Sequence, residues 1–261
     1  MLYLNALDDA KMSCQNIMTM YIDFSSAFNT IDHDKLLVIM HKLGFPEASI
    51  EVIADLYNGA QSVFQIAGGE TEAVTIDRGT LQGDSLSPLL FIIFMEPLLR
   101  WLQSGGRGYK FACTGQTLGS TAYADDLNAL THTATDLAQQ AHKVDMFAKW
   151  GDLKVNVSKC AVSGVQWGLA SKTNSSAIST SAVAMMRRQL ERVKIDGNSL
   201  PFLHPDKEPY PYLGVLTTLT MNWSMQMEAV MKEIRNRAEA VLASLCSPAQ
   251  KLQYLQSNIK T

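Results

Sequence analysis

Two adjacent aspartates at the tip of a short apolar hairpin constrain the fold of this chain more than any other feature. Asp125 and Asp126 stand between two runs with strand character, Leu118 to Tyr123 and Leu127 to Thr131. Side chains alternate between the two faces of a regular strand, so neighbouring aspartates on one strand would point apart. A bend at a hairpin tip can instead bring both carboxylates near one point. A solvated Asp-Asp turn is the simple alternative, because turns favour aspartate.

A third acid, Asp23, argues against the simple turn. It follows the run Asn16 to Ile22, which is apolar on both faces, as in a central strand that is covered on both sides. Three carboxylates that converge repel one another unless divalent cations neutralise them. The sequence therefore predicts that Asp23, Asp125 and Asp126 form one metal site.

The rest of the chain mixes helical periodicity with short alternating strands. This order predicts an α+β fold in which an antiparallel sheet packs against helices on one face. Helices are expected at Leu4 to Cys14, Asp32 to Gly44, Pro46 to Gly59, Pro88 to Leu102, Thr135 to Trp150, Ser224 to Leu245 and Ala249 to Ile259.

Local signals refine this outline. Ser87 reads as the cap of the helix that starts at Pro88, and Gly151 reads as a helix stop. Residues 168–181 are rich in Ser, Thr and Ala without periodicity, which indicates a mobile loop. Asp196-Gly197-Asn198 is typical of a hairpin turn, and Tyr212 to Val215 reads as a final short strand.

Composition limits the compartment and the partners. Four scattered cysteines without zinc-ligand spacing indicate reduced thiols, hence an intracellular protein, cytoplasmic or nuclear. No apolar stretch approaches the ~20 residues of a membrane span, so no membrane partner is expected. The net charge of -3 argues mildly against a nucleic-acid partner, although the residues after Met186 are net basic.

Five motifs follow one another along the chain. They are Tyr21 to Phe28, Arg78 to Leu89, Tyr123 to Asp126, Leu153 to Lys159 and Tyr212 to Val215. Together they resemble the palm motifs of reverse transcriptases, specifically those of non-LTR (LINE-like) retrotransposons. Five motifs in the right order are more specific than any one. The resemblance implies a polymerase palm over residues 17–220, preceded in 1–16 by a remnant of the fingers–palm connection and followed in 221–261 by a partial helical thumb.

The same resemblance implies a chemistry. It predicts an RNA-directed DNA polymerase, a nucleotidyltransferase that adds deoxynucleotides to a primer 3′-hydroxyl by two-metal transfer. The cofactor would be two Mg²⁺ ions, with Mn²⁺ as an alternative, and the partners an RNA template, a DNA primer and deoxynucleoside triphosphates. Asp23 and Asp125 would bridge the ions, Asp126 would be the outer ligand, and the backbone carbonyl of Phe24 would contribute to the nucleotide-side metal.

Other motif residues take roles by the same resemblance. Phe28 would lie beneath the sugar and reject a 2′-hydroxyl, whereas core packing is its alternative. Gln82 and Gly83 would lie against the nucleotide or template, or form only a loop before a helix. Lys159 resembles the lysine proposed to protonate the pyrophosphate leaving group, or is a surface charge. The residues that would grip the primer, or form only a packed hairpin, are Tyr212, Leu213 and Gly214.

Only residues 1–16 precede the palm, so we expect the basic fingers and other domains of a longer polyprotein to be missing. We therefore expect this chain alone to bind metal and duplex weakly and to extend primers poorly or not at all. Two other hypotheses stay open: a catalytically inactive palm remnant or nucleic-acid-binding module, and another palm-fold nucleotidyltransferase such as a cyclase. The motifs at Gln82-Gly83 and Tyr212 to Gly214 argue against a cyclase, because a cyclase has no primer to grip.

Overall fold

A computed structural model describes residues 2–81, 84–170 and 178–259. Its helices are α1 Leu2–Met12, α2 Ala27–Thr30, α3 His33–Leu43, α4 Glu47–Tyr57, α5 Ser87–Gln103, α6 Ala134–Gly151, α7 Trp167–Ala170, α8 Thr180–Leu190, α9 Ser224–Ala243 and α10 Pro248–Ile259. Its strands are β1 Asn16–Ile22, β2 Phe24–Ser25, β3 Gln61–Ser62, β4 Gln65–Ile66, β5 Gly69–Glu70, β6 Val74–Thr75, β7 Tyr109–Lys110, β8 Thr117–Leu118, β9 Ser120–Tyr123, β10 Asp126–Thr131, β11 Lys154–Val155, β12 Ala161–Gln166, β13 Lys194–Ile195, β14 Asn198–Ser199, β15 Tyr210–Tyr212 and β16 Val215–Thr217.

Four antiparallel strands in the order β12-β1-β10-β9 form the central sheet. β1 lies inside it, and pairs with β10 through Ile22 and Leu127 and with β12 through Met18 and Gly164. Every residue of β1 after Asn16 is buried, because its apolar side chains have protein on both faces of the sheet. The prediction of a doubly covered central strand is therefore confirmed.

The two faces of β1 lie in two separate apolar clusters. Met18, Met20 and Ile22 pack into the larger cluster, together with side chains of α3, α5 and α6. Ile17 and Tyr21, on the other face, pack into a smaller cluster with α1. The predicted α+β class, with an antiparallel sheet packed against helices, is confirmed, and α1 adds a helix on the second face.

The two ends of α3 follow the capping signals of the sequence. The Asp32 side chain accepts a hydrogen bond from the Lys35 amide at 3.0 Å, so it caps the helix as predicted. Gly44 ends the helix with φ of +84°, a left-handed conformation that glycine adopts without a steric penalty. These interactions depend on neighbouring residues, which makes them readable from the sequence.

Two predicted helix ends are wrong by one residue. Ser87 is the first residue of α5 rather than its cap, and its hydroxyl donates to the Leu81 carbonyl at 2.6 Å. Gly151 is the last residue of α6, and the cap is Asp152, with φ of +53°. In both cases the helix extends by one residue to include the position at which the sequence suggests a boundary.

Two hairpins share one turn geometry. Asp196 and Gly197 join β13 to β14 with φ of +50° and +75°, as predicted for this Asp-Gly pair. Leu213 and Gly214 join β15 to β16 in the same way, with φ of +52° and +77°. The prediction of a single strand over Tyr212 to Val215 is therefore wrong. Leucine rarely adopts a positive φ, so Leu-Gly is a weaker turn signal than Asp-Gly.

Both ends of the predicted mobile loop, residues 168–181, are helical. α7 reaches Ala170 and α8 begins at Thr180, so the prediction is wrong there, and residues 171–177 lie outside the described part of the chain. The Ser179 side chain caps α8. The buried side chains Met186 and Leu190 attach the helix to the larger cluster. Most of α8 lies beyond residue 181 and is rich in Ala, Met and Arg, which favour helix.

The C-terminal helices α9 and α10 form where the periodicity predicts them. No residue of α9 is buried, and the Leu216 amide donates to the Gln226 side chain at 2.8 Å, which ties this helix to β16. Assignment of these helices to a thumb stays a prediction. In the described ranges, no helix combines the length and apolarity that a membrane crossing requires.

Candidate active site

The end of β1 lies beside the start of β10, which brings two of the three predicted acids together. Ile22 pairs with Leu127, so one further step in the antiparallel register places Asp23 next to Asp126. Both residues line one open cavity of about 500 Å³. Sheet pairing thus brings residues that are far apart in the sequence to one surface.

Asp125 lies in the tight turn between β9 and β10. Tyr123 pairs with Asp126, which leaves Ala124 and Asp125 as the turn residues. Ala124 has φ of +51°, a conformation that costs a residue with a β-carbon roughly 1–2 kcal/mol. Strain of this kind is often found at functional sites. Asp125 is not among the residues that line the cavity shared by Asp23 and Asp126, so its assignment as the bridging partner of Asp23 stays a prediction.

The pKa of Asp126 responds to the two neighbouring carboxylates. Partial burial raises the pKa of Asp126 most, and the charges of Asp125 and Asp23 raise it further. A cation would relieve this repulsion, and carboxylate oxygens are ligands that Mg²⁺ accepts. The donor chemistry therefore fits a divalent ion. Within the described residues, however, no three Asp, Glu, His or Cys side chains are already arranged to hold one ion, so the metal site stays a prediction.

Lys159 lies at the same cavity, on the loop between β11 and β12. Its Nζ is 3.9 Å from Oδ2 of Asp23, and its side chain is 68% exposed. The loop is attached to the end of β1 by its backbone, since the Asn156 amide donates to the Asp23 carbonyl at 2.9 Å. The Asp23 amide in turn donates to Sγ of Cys160 at 3.4 Å. Burial raises the pKa of Cys160 to about 11, so this thiol stays protonated at neutral pH.

The two phenylalanines of the first motif lie against the core. The Phe28 ring is half-buried, with its centroid 4.7 Å from that of Phe91. Its carbonyl accepts the Thr80 amide at 2.8 Å. Core packing thus accounts for part of the Phe28 ring, and contact with a sugar stays a prediction. Phe24 is buried in β2, which pairs with β11, and the ligand role of its carbonyl also stays a prediction.

The hairpin β15–β16 is anchored beside the acids. The hydroxyl groups of Tyr212 and Thr121 lie 3.2 Å apart, which connects β15 to β9. Leu213 is exposed at the turn with Gly214, so the hairpin offers a surface near the cavity while its base is fixed. Primer contact by this hairpin stays a prediction. The predicted nucleotide-binding residues Gln82 and Gly83 lie outside the described residues.

Tyr210 is a site feature that the motifs do not reveal. Its ring stacks on Tyr21 with a centroid distance of 4.0 Å, and its hydroxyl donates to the Lys159 carbonyl at 3.1 Å. It lines the same cavity as Asp23 and Asp126. A sequence signal does exist, because Tyr210 stands between Pro209 and Pro211. Two prolines restrict the backbone on both sides of one aromatic residue, which suggests a side chain held in a defined place.

Comparison with protein families agrees with this geometry. A family described as "Reverse transcriptase (RNA-dependent DNA polymerase)" matches residues 5–216. The chain belongs to the reverse transcriptase family. The match includes all five motifs in full and begins before Asp23, so the family predicted from the ordered motifs is confirmed.

Relatives of this reverse transcriptase family member include Pol polyproteins of R2 retrotransposable elements. One from Popillia japonica is 25% identical over 244 residues, which is 91% of this chain and 36% of that protein. The one from the type-2 element R2DM of Drosophila melanogaster is 31% identical over 146 residues, or 56% of this chain and 13% of that protein. The predicted likeness to non-LTR elements is confirmed, and the chain spans about a third or less of the length of these relatives.

A solved structure supports the fold. Telomerase from Candida tropicalis, in complex with a fragment of telomeric RNA, superposes with a TM-score of 0.54 at 12% identity, and covers 99% of this chain and 40% of that chain. At this identity the likeness shows the fold alone. It agrees with a polymerase palm built from an antiparallel sheet and helices.

Proposed function

We propose that this reverse transcriptase family chain carries the nucleotidyl-transfer site of an RNA-directed DNA polymerase that extends a DNA primer on an RNA template. The β1–β10 register carries the proposal, because Asp23 follows the Ile22–Leu127 pair on the side of Asp126, and Asp125 lies in the adjoining turn. The raised pKa of Asp126, caused by burial and then by the charges of Asp125 and Asp23, agrees with this register. The shared cavity of about 500 Å³ beside Asp23 and Asp126 offers room for part of a substrate. Family membership supplies the reaction class.

The acids would hold divalent ions, Mg²⁺ or Mn²⁺, and the carbonyl of Phe24 would add one ligand. When bound, such ions increase the acidity of the primer hydroxyl and offset the charge of the phosphates. Asp23 and Asp126 then act as rigid anchors, because both lie where β1 and β10 meet. Lys159 would give a proton to the pyrophosphate oxygen that departs, and its distance of 3.9 Å from Asp23 supports this role.

Deoxynucleotide selection and strand contacts would come from neighbouring elements. Phe28 would exclude a ribose 2′-hydroxyl, since its ring is backed by Phe91 and cannot retreat into the core. The primer would contact the turn of β15–β16, and the segment at Gln82 and Gly83 would contact nucleotide or template. In this proposal residues 17–220 are the palm and residues 221–261 are part of a thumb.

Divalent-ion binding and primer extension test this proposal together. Mg²⁺ or Mn²⁺ at millimolar concentration should raise the melting temperature of the wild-type chain, because a ligand that binds only the folded state stabilises it. Asp125→Asn should lose that shift and also lose any incorporation of deoxynucleotide on an RNA template. Asp8→Asn, which makes the same chemical change at an exposed site on α1, is the matched control and should behave as wild type.

Two results would contradict the proposal. One is an equal divalent-ion shift in wild type and Asp125→Asn. The other is RNA-templated incorporation that Asp125→Asn leaves unchanged. Template binding without any divalent-ion shift would instead favour the alternative of a palm-fold nucleic-acid-binding module.

A further inference from the structure

The position of the Lys159 ammonium is not fixed by its own side-chain contacts. Its side chain is 68% exposed, and its distance to Asp23 is 3.9 Å. An exposed ion pair at that separation contributes little, because solvent screens the charges and the long side chain loses entropy when it is held. The ammonium can therefore stay near the cavity only if the Lys159 backbone is held in place.

The loop backbone is held on its inner side by the end of β1. The Asn156 amide donates to the Asp23 carbonyl at 2.9 Å, and the Asn156 carbonyl accepts the amides of Lys159 and Cys160 at 2.9 and 3.1 Å. These bonds fix the base of the loop. On the outer side, the Lys159 carbonyl accepts the Tyr210 hydroxyl at 3.1 Å. This bond reaches Lys159 from another element, 51 residues further along the chain.

Tyr210 is itself held rigidly. Its ring stacks at 4.0 Å and 11° on Tyr21, which is only 2% exposed, and Tyr21 precedes Asp23 by two residues on β1. Pro209 and Pro211 restrict the backbone on either side. The Tyr210 carbonyl also accepts the hydroxyl of its cross-strand partner in β16 at 3.2 Å. The stacked ring and the restricted backbone therefore leave the Tyr210 hydroxyl little freedom to move.

We propose that Tyr210 is a positioning residue that fixes the Lys159 backbone relative to β1 and the hairpin β15–β16. This inference rests on the proposed function. In the step concerned, the primer 3′-hydroxyl loses its proton to water and its oxygen forms a bond to the α-phosphorus. The bond between that phosphorus and its bridging oxygen breaks at the same time. The Lys159 ammonium gives one proton to that departing oxygen, and the neutral amine then regains a proton from water. Tyr210 touches neither reactant, and it acts by keeping the ammonium in reach.

Tyr210→Phe tests this assignment, because it keeps the stacked ring and removes only the hydroxyl. Tyr3→Phe is the matched control. The Tyr3 hydroxyl bonds to that of Tyr21 at 2.5 Å within the same aromatic cluster, and makes no bond to Lys159. Both variants should lower the melting temperature, since each removes a hydrogen bond from the cluster. Only Tyr210→Phe should make the loop that carries Lys159 more mobile.

Two readouts separate positioning from general stability. Hydrogen exchange at the Lys159 and Cys160 amides should be about three- to tenfold faster in Tyr210→Phe, as expected for one lost hydrogen bond, and unchanged in Tyr3→Phe. Single-turnover incorporation at saturating nucleotide should slow by a similar factor while KM stays within about twofold, because binding is retained. In Lys159→Ala, adding Tyr210→Phe should cause no further loss of rate.

Each outcome decides the matter. Unchanged loop exchange in Tyr210→Phe, equal effects of Tyr210→Phe and Tyr3→Phe on exchange, or additive rate losses with Lys159→Ala would overturn the positioning role. Faster loop exchange in Tyr210→Phe, together with an equal divalent-ion shift in wild type and Asp125→Asn, would support the structural link and contradict the proposed function instead. The exchange measurement needs no turnover, so the two failures are distinguishable.

Discussion

Replacing Gly79 with alanine should destabilise the chain more than its glycine conformation alone explains. Gly79 has φ of +84°, and a β-carbon there would lie 2.7 Å from Cα of Asn29 and 2.8 Å from its carbonyl carbon and oxygen. Real β-carbons do not approach backbone atoms so closely. Segment 78–80 would therefore have to move away from segment 28–31, to which it is bonded.

The cost can be worked from these contacts. A left-handed conformation costs alanine roughly 1–2 kcal/mol, and the stiffer unfolded chain returns about 0.4–1 kcal/mol. Two backbone bonds would also weaken, from the Gly79 amide to the Ile31 carbonyl and from the Thr80 amide to the Phe28 carbonyl, each 2.8 Å long. At about 1 kcal/mol per bond, Gly79→Ala should cost roughly 3 kcal/mol of unfolding free energy. For a chain of this size that corresponds to ~6–12 °C in melting temperature.

Gly44→Ala is a control with the same backbone conformation. Gly44 also has φ of +84°, but a β-carbon there meets nothing within 4 Å. Gly44→Ala should therefore lower the unfolding free energy only by the conformational part, roughly 0.5–1 kcal/mol. Thermal or urea unfolding of both variants gives the difference. Equal losses in the two variants would refute the reasoning, because they would mean that the contact with Asn29 adds nothing.

Two further predictions concern single side chains near the site. Phe28→Val should relax discrimination against ribonucleotides in an active, longer polymerase while leaving deoxynucleotide incorporation largely intact. If a nucleotide-competition assay shows unchanged discrimination, Phe28 only packs against the core. Cys160 should resist a thiol reagent at pH 7–8 in the folded protein, because it is buried and its pKa is raised to about 11. Exposed Cys14 should react quickly. Equal reaction rates of the two thiols in a time-resolved assay would contradict this prediction.

Local interactions account for what the sequence could predict. The apolar run from Asn16 to Ile22 has no polar face, so it had to be a covered strand. The cap at Asp32, the stop at Gly44 and the turn at Asp196-Gly197 each depend on residues that are close in sequence. The ordered motifs then identified the family, because the residue types in each motif are constrained together. Those predictions required no knowledge of how distant segments pack.

Distant packing accounts for what the sequence could not predict. The Tyr210 hydroxyl bonds to Lys159 across 51 residues, and the Cys160 thiol bonds to Asp23 across 137. Neither contact leaves a periodic pattern in the chain. The same holds for the start of α8, which falls at the end of a stretch rich in Ser and Thr, although buried Met186 packs the helix into the larger cluster. These contacts form because folding brings distant segments together, so local sequence patterns do not predict them.

The Asp126 carboxylate is proposed to bind a cation at the site, but its charge lowers the stability of the fold. Burial and the charges of Asp125 and Asp23 raise its pKa above the ordinary 3.8, so its ionised form opposes folding. This cost in folding free energy is absent at a pH below the ordinary pKa. It grows as the pH rises towards the raised pKa and is complete above the raised pKa.

Asp126→Asn should therefore have a higher melting temperature than wild type in chelator at pH 7. The difference in melting temperature should close towards pH 4. Adding Mg²⁺ should narrow the gap at pH 7 by stabilising only wild type, since the proposed ions relieve the repulsion that the substitution removes. A variant that gains no stability in chelator would show that this carboxylate is not strained by its neighbours, and the argument for a shared cation would lose its basis.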